Sequence, residues 1–238
     1  MARRKDKREG FGRLLDVWVP PEDAGNPVGC IATSFTFSPL FFEEECLGRF
    51  LQLETDPNED GPFYLIEREE KLSHLACAAA LVDQHHCKGS RSLRWDLLPV
   101  RMKYGVLHAK ICLLHWAQLV RLIISSANLT EDGYRRNQEI YGVVDFKPGG
   151  RASLSILQEV VKFLREDCQH NLGVMTVPTA ALARVNGLLD RILDISKEWG
   201  IPEEEHDKEN PRLKRSKVHC MPSTCNDYRI STMRFGQF

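Results

Sequence analysis

Between Leu107 and Glu139 the chain collects four kinds of group that could act together on one substrate. His108 and Lys110 form His-x-Lys. Ser126 and Asn128 form Ser-x-Asn, and Asn137 and Glu139 form Asn-x-Glu. An imidazole, a fixed cation, neutral hydrogen-bond donors and a carboxylate suit attack on a phosphodiester. Such a substrate is an anion and repels anionic nucleophiles. A neutral imidazole is a nucleophile near pH 7 without that penalty. Lys110 and Asn128, with Ser126, could hold the non-bridging oxygens as charge grows in the transition state. Glu139 could orient the imidazole through its second nitrogen. This chemistry needs no metal, and no cofactor is expected.

The groups need elements that aim them at one place. Residues 107–114 are apolar and short, which reads as a buried strand. Side chains alternate along a strand, so His108 and Lys110 share a face opposite Leu107, Ala109, Ile111 and Leu113. Two polar groups on an otherwise apolar strand are costly to bury unpaired, so they are expected to line a cleft. A second strand, 119–125, is expected to return antiparallel and bring Ser126 and Asn128 back to that cleft. Residues 139–146 read as a further strand. Gln138 and Glu139 alternate faces there, so only one of them can point at the site.

His-Ala-Lys, then Ser-Ser-Ala-Asn, then Asn-Gln-Glu resembles one half of a phospholipase D superfamily enzyme, whose signature is His-x-Lys, an Asp, then Gly-Ser-x-Asn. This chain departs twice, with His115 at the Asp position and Ser125 at the Gly position. The missing Asp and the His-to-Asn gap are similar to the first half-site of tyrosyl-DNA phosphodiesterases. The stretch from Ile123 to Ile140 also looks like bacterial members of the wider group. The resemblance covers about residues 28–170, and only 107–145 is specific. It implies a covalent phosphohistidine intermediate, no metal, and two half-sites per active centre, from two repeats or two subunits. No second His-x-Lys block exists in these residues. A homodimer, or a second half beyond this chain, is therefore expected.

The remaining segments frame that block. Residues 30–37 read as the first strand and 40–53 as a helix, followed by a loop over 55–62. Residues 63–66 read as a short strand and 69–84 as an Ala-rich helix holding His74. Residues 93–100 read as an edge strand because Pro99 lies within them. Two amphipathic helices are expected at 152–166 and 178–199. Together these give an α/β fold, a mixed central β-sheet flanked by helices (a phospholipase D-like half-domain). The expected organisation is a flexible N-terminal arm over 1–27, the α/β domain over 28–200, and a charged linker or disordered tail over 201–238.

Net charge is −1, so the chain is not a globally basic nucleic-acid binder. Any polyanion must meet a local patch. Arg94, Arg101 and Lys103 precede the His-x-Lys strand, and Tyr134, Arg135 and Arg136 could form a stacking and phosphate platform. Exposed cations are ordinarily just solvated surface. The eight cysteines contain no Cys-x-x-Cys pair, and with no apolar signal segment they are expected to be reduced thiols in a cytoplasmic protein, nuclear if eukaryotic. His85, His86 and Cys87, and His219, Cys220 and Cys225, are dense clusters but lack a four-ligand zinc spacing. No apolar run is long enough to span a membrane. The expected function is a metal-independent phosphodiesterase on nucleic acid, end-processing or nuclease-like. A non-catalytic phosphate-, nucleic-acid- or partner-binding half is the second reading. A phospholipid phosphodiesterase is the third, less attractive for want of a basic interfacial helix.

Overall fold

The structure, a computed structural model, describes residues 14–88, 92–169 and 179–199, with the backbone of two further strands after residue 218. Its centre is a mixed six-stranded sheet. In chain order the strands are β1 (Pro27–Ser34), β2 (Cys77–Asp83), β3 (Asp96–Val100), β4 (Ile111–Trp116), β5 (Leu119–Ser125) and β6 (Tyr141–Phe146). They lie side by side as β3-β2-β1-β4-β5-β6. β1, β2 and β3 run parallel, and β4, β5 and β6 are joined antiparallel. β4 and β5 form a tight hairpin in which Trp116 pairs with Leu119. Pro99 sits on the outermost strand β3, where its missing N–H removes least from the ladder.

Alternation divides the core in two. On one side Ile31, Ala79, Leu81, Ile111, Leu113 and Leu122 pack with α3 (Leu154–Lys162) and α4 (Thr179–Ser196). On the other side Cys30, Ala32, Ala78, Ala80, Val82 and Trp116 meet the N-terminal helical layer. That layer holds a 3-10 turn, Leu14–Trp18, a π-helical run, Phe41–Leu47, the short α1 (Gly48–Phe50), and α2 (Pro62–Ser73). A sheet covered on both faces needs strands that are apolar throughout, which is what β2 and β4 are.

Three segments differ from the sequence reading. Residues 63–66 are helical: Pro62 sits at the first helical position and Gly61, at φ 52°, turns the chain into it. Phe63 and Ile66 remain exposed, so the apolar run never marked a buried strand. The expected helix over 69–84 stops at Ser73, and Cys77–Asp83 is the buried strand β2. Its alanines favour a helix locally, but pairing with both β1 and β3 between two helical layers overrides that preference. Residues 14–26 are not a free arm. Trp18 is fully buried, and Arg121 donates to the carbonyls of Val17 and Val19 at 3.0 Å each. Residues 1–13 lie outside the described residues. Within the expected tail, the backbone of β7 (His219–Cys225) pairs antiparallel with β8 (Tyr228–Arg234), and the rest of it is outside the described residues.

Candidate active site

The site lies where β1 and β2 end and β4 begins, the rim of an open sheet where side chains are free of the ladder. Pairing of β1 with β4 stops at Ala32 and Cys112. Beyond that point Thr33 takes over. Its hydroxyl donates to the Ala109 carbonyl at 2.9 Å and accepts from the Ile111 N–H at 3.0 Å. One side chain thus satisfies two backbone groups while residues 107–110 part from β1. β4 therefore begins at Ile111, later than residue 107, and His108 and Lys110 stand just ahead of it.

Leu107 and Ala109 join the core on the α3–α4 side. His108 and Lys110 meet each other instead, with Lys110 Nζ 3.0 Å from His108 Nδ1 and 2.9 Å from the His108 carbonyl oxygen. Phe35, just past β1, lies beneath both. Its ring centre is 5.2 Å from that of His108 and 5.9 Å from Lys110 Nζ. Burial, then the Lys110 charge, lowers the His108 pKa below its ordinary 6.5, so the ring is neutral at pH 7. Burial also lowers Lys110, to about 8, against an opposing pull from Glu139. Phe35 carried no signal in the sequence, because its role comes from where β1 ends rather than from its neighbours.

Asn128 is held by the same stretch of chain. Its Oδ1 accepts from the N–H groups of Phe35 at 3.2 Å and Thr36 at 3.3 Å. These donors fix which way the amide faces, because only the oxygen can accept. Its Nδ2 has no partner among the described residues and remains a donor. Ser34 completes the clasp by accepting from the Leu129 N–H at 2.9 Å. Gly133 is needed beneath it. A Cβ there would lie 2.4 Å from the Asn128 carbonyl oxygen, a distance no side chain tolerates.

Ser126 and Glu139 pair with each other. The Ser126 hydroxyl donates to Glu139, and Asn137 Nδ2 donates to the other carboxylate oxygen at 3.3 Å. The expected contact from Glu139 to the imidazole is therefore replaced. Glu139 lies ahead of β6 and acts on Lys110 through charge, while Lys110 occupies His108 Nδ1. The tautomer follows the charge on Lys110. An ammonium donating to Nδ1 leaves the ring proton on Nε2. A nucleophilic Nε2 requires Lys110 to be the neutral amine, accepting from Nδ1–H.

The outlying candidates fare differently. Tyr134 is no stacking platform. It is buried, its ring edge meets Phe41 at 5.2 Å, and its hydroxyl lies 3.9 Å from Cys112 Sγ. Helical coiling over Asp132–Arg136 turns it inward. Arg94 pairs with Glu69, Arg135 with Glu131 and Glu45, and Arg136 with Asp132. Lys103 is exposed, with Nζ 5.5 Å from the Tyr104 ring centre, and Arg101 is exposed beside it. Among the described residues no three His, Cys, Asp or Glu side chains converge as a metal site, and no helix is long and apolar enough to cross a membrane.

No protein-family model and no curated protein matches the chain. Among solved structures it resembles yeast tyrosyl-DNA phosphodiesterase. A mutant form of that enzyme aligns at 12% identity with a TM-score of 0.46, over 78% of this chain and 36% of the other. A second crystal structure aligns at 12% and 0.42, over 78% and 37%. The chain thus spans little more than a third of the length of those structures.

Proposed function

We propose that the chain is a phosphodiesterase half-site that acts on nucleic acid without a metal, through a phosphohistidine. The observation that carries this is the His108–Lys110 contact at 3.0 Å over Phe35, the residue whose backbone N–H, with that of Thr36, fixes the orientation of the Asn128 amide. His108 attacks phosphorus through Nε2, once Lys110 has released its proton or donates it elsewhere. A Lys held near 8 can do either close to neutral pH. Lys110 and Asn128 Nδ2 then bind the non-bridging oxygens, and Ser126 extends that donor set. Glu139 tethers Ser126 and keeps Lys110 from losing its charge entirely. Displacement also needs a group that protonates the leaving oxygen. The resemblance implies that a second half-site supplies it, from another subunit or further chain. Cleavage of a DNA phosphodiester in EDTA, compared with a phospholipid, tests this reading. Activity that requires metal, or that survives His108→Ala, would sink it.

One observation favours a second reading, a phosphate-binding half without turnover. With Lys110 charged, His108 Nε2 is a donor and not a nucleophile. Lys110, His108 Nε2 and Asn128 Nδ2 are then all donors, a set suited to holding an anion. DNA binding that is lost in Lys110→Ala, with no phosphorylated His108 on any diester, would support binding alone.

A further inference from the structure

We infer that Phe35 is a positioning residue: its ring face keeps the Lys110 ammonium charged without neutralising it, so that the cation stays available to an anionic substrate; the inference rests on the phosphodiesterase reading. Lys110 is 6% exposed, and its Nζ lies over the Phe35 ring, 5.9 Å from the centre. That is within the reach of a cation–π contact. Its other contacts go to His108, at Nδ1 and the carbonyl oxygen. Among the described residues no carboxylate pairs with it directly; Glu139 pulls on it through charge, while the oxygens of that carboxylate accept from Ser126 and Asn137.

A buried ammonium without a partner is costly. A carboxylate in contact would offset that cost, yet it would cancel the charge that a phosphate has to meet and would repel the phosphate itself. A ring face does neither. Its quadrupole attracts a cation, while the ring carries no net charge. Burial lowers Lys110 to about 8, and the ring works with Glu139 against that fall. The ring is held in place by its own backbone. The Phe35 N–H donates to Asn128 Oδ1 at 3.2 Å, the Thr36 N–H does so at 3.3 Å, and Ser34 Oγ accepts from the Leu129 N–H at 2.9 Å. The aromatic face and the Asn128 donor thus share one anchor.

The titratable neighbours are His108, Glu139 and, against the same ring at 4.3 Å, His86. A side-chain carbon resonance of Lys110, assigned with Lys110→Met, follows this one group through its titration apart from the others. It needs no turnover.

Progressive fluorination of the Phe35 ring in the full chain tests the role. It keeps the shape and apolar contacts of the ring while draining negative charge from its face. From the native ring through a trifluoro to a pentafluoro ring, the Lys110 midpoint is expected to fall by about 0.5–1 pH unit in all. Binding of a DNA oligonucleotide at pH 8 is then expected to weaken by about two- to fivefold, as fewer lysines stay charged, and to be equal at pH 6, where every version keeps the charge. Phe35→Leu is expected to act like the pentafluoro ring and Phe35→Tyr like the native one. A midpoint that stays or rises along the series overturns the inference and leaves the phosphodiesterase reading standing. Equal weakening at pH 6 and pH 8 does the same, since that is what a ring that only packs would give. So does a fall in midpoint that disappears in a His86→Gln background. No phosphorylated His108 on a diester in the wild type overturns the phosphodiesterase reading, while the midpoint still reports on the ring.

Discussion

One segment carries two histidines with opposite fates. His108 stands at the open rim, half-exposed, with a lysine at Nδ1 and a phenyl ring beneath it. His115 lies near the other end of β4, fully buried, with Nδ1 3.4 Å from the Leu119 carbonyl and Nε2 unpaired. Burial lowers both pKa values. The difference is company. At the rim the neutral ring faces groups able to bind an anion, whereas under the α4 layer it faces apolar side chains and the charge of Arg191. A lowered pKa marks a functional imidazole only where substrate can reach it.

The largest break in that comparison is His108→Ala. It is expected to reduce diester cleavage by at least about 10³, with unfolding stability nearly unchanged because the ring is part-exposed. Single-turnover assays in EDTA alongside thermal unfolding measure both. A residual rate within tenfold of wild type would place the chemistry elsewhere.

Lys110→Met comes next. Loss of its cation from the phosphate is expected to lower turnover by about 10²–10³. Stability should move the other way. A lysine lowered from 10.5 to about 8 in the native state takes up a proton more readily when unfolded. Its native-state penalty is therefore complete at pH 7 and fades as pH rises from 8 to 10.5. Methionine removes the penalty, so the variant should be more stable at pH 7 by about 1–3 kcal/mol. Wild type should close the gap as pH approaches 10.5. Urea unfolding at both pH values checks the sign.

Gly133→Ala acts without touching substrate. The added Cβ must push against the Asn128 carbonyl, and the amide donor moves with it. Turnover should fall about 10–10²-fold, with stability lower by about 1–3 kcal/mol. Asn128→Ala on its own should match the catalytic loss. If Gly133→Ala destabilises yet leaves turnover intact, Asn128 is a structural clasp for β1 and not a donor to phosphate.

How far the sequence revealed this arrangement follows from what kind of signal each part leaves. The β4–β5 hairpin and the α3 and α4 layer were legible because alternation and helical periodicity are local. His-x-Lys spacing was legible for the same reason. β2 was not, since an Ala-rich run prefers a helix until two neighbouring strands claim it. The hub Phe35, the Thr33 bridge and the buried Asp83 carboxylate that accepts from the Leu107 N–H were also hidden. Each acts across the sheet on residues distant in sequence, and none has a spacing that advertises it. That Lys110 rather than Glu139 meets His108 Nδ1 was also hidden, because the Asn-x-Glu spacing says nothing about which nitrogen a neighbouring lysine will occupy.

The smallest effect on activity should come from His115→Leu, which sharpens the contrast from the buried side. The pKa of His115 falls from 6.5 to about 4 on folding. Above 6.5 both states are neutral and the group is silent. Between 6.5 and 4 the unfolded chain binds a proton that the native core refuses, so stability drops as pH falls, by up to about 1.4 kcal/mol per unit. His108 adds a slope of the same sign, and only the difference between wild type and His115→Leu isolates the buried ring. Leucine fills a similar volume and removes an unpaired buried nitrogen, so stability at pH 7 should hold or rise slightly. Turnover at pH 7 should stay within about twofold, because the ring lies in the core and not at the rim. A variant that loses activity as His108→Ala does would mean that the two histidines share a site after all; a variant whose acid slope is unchanged would mean that His115 is already paired in the native core.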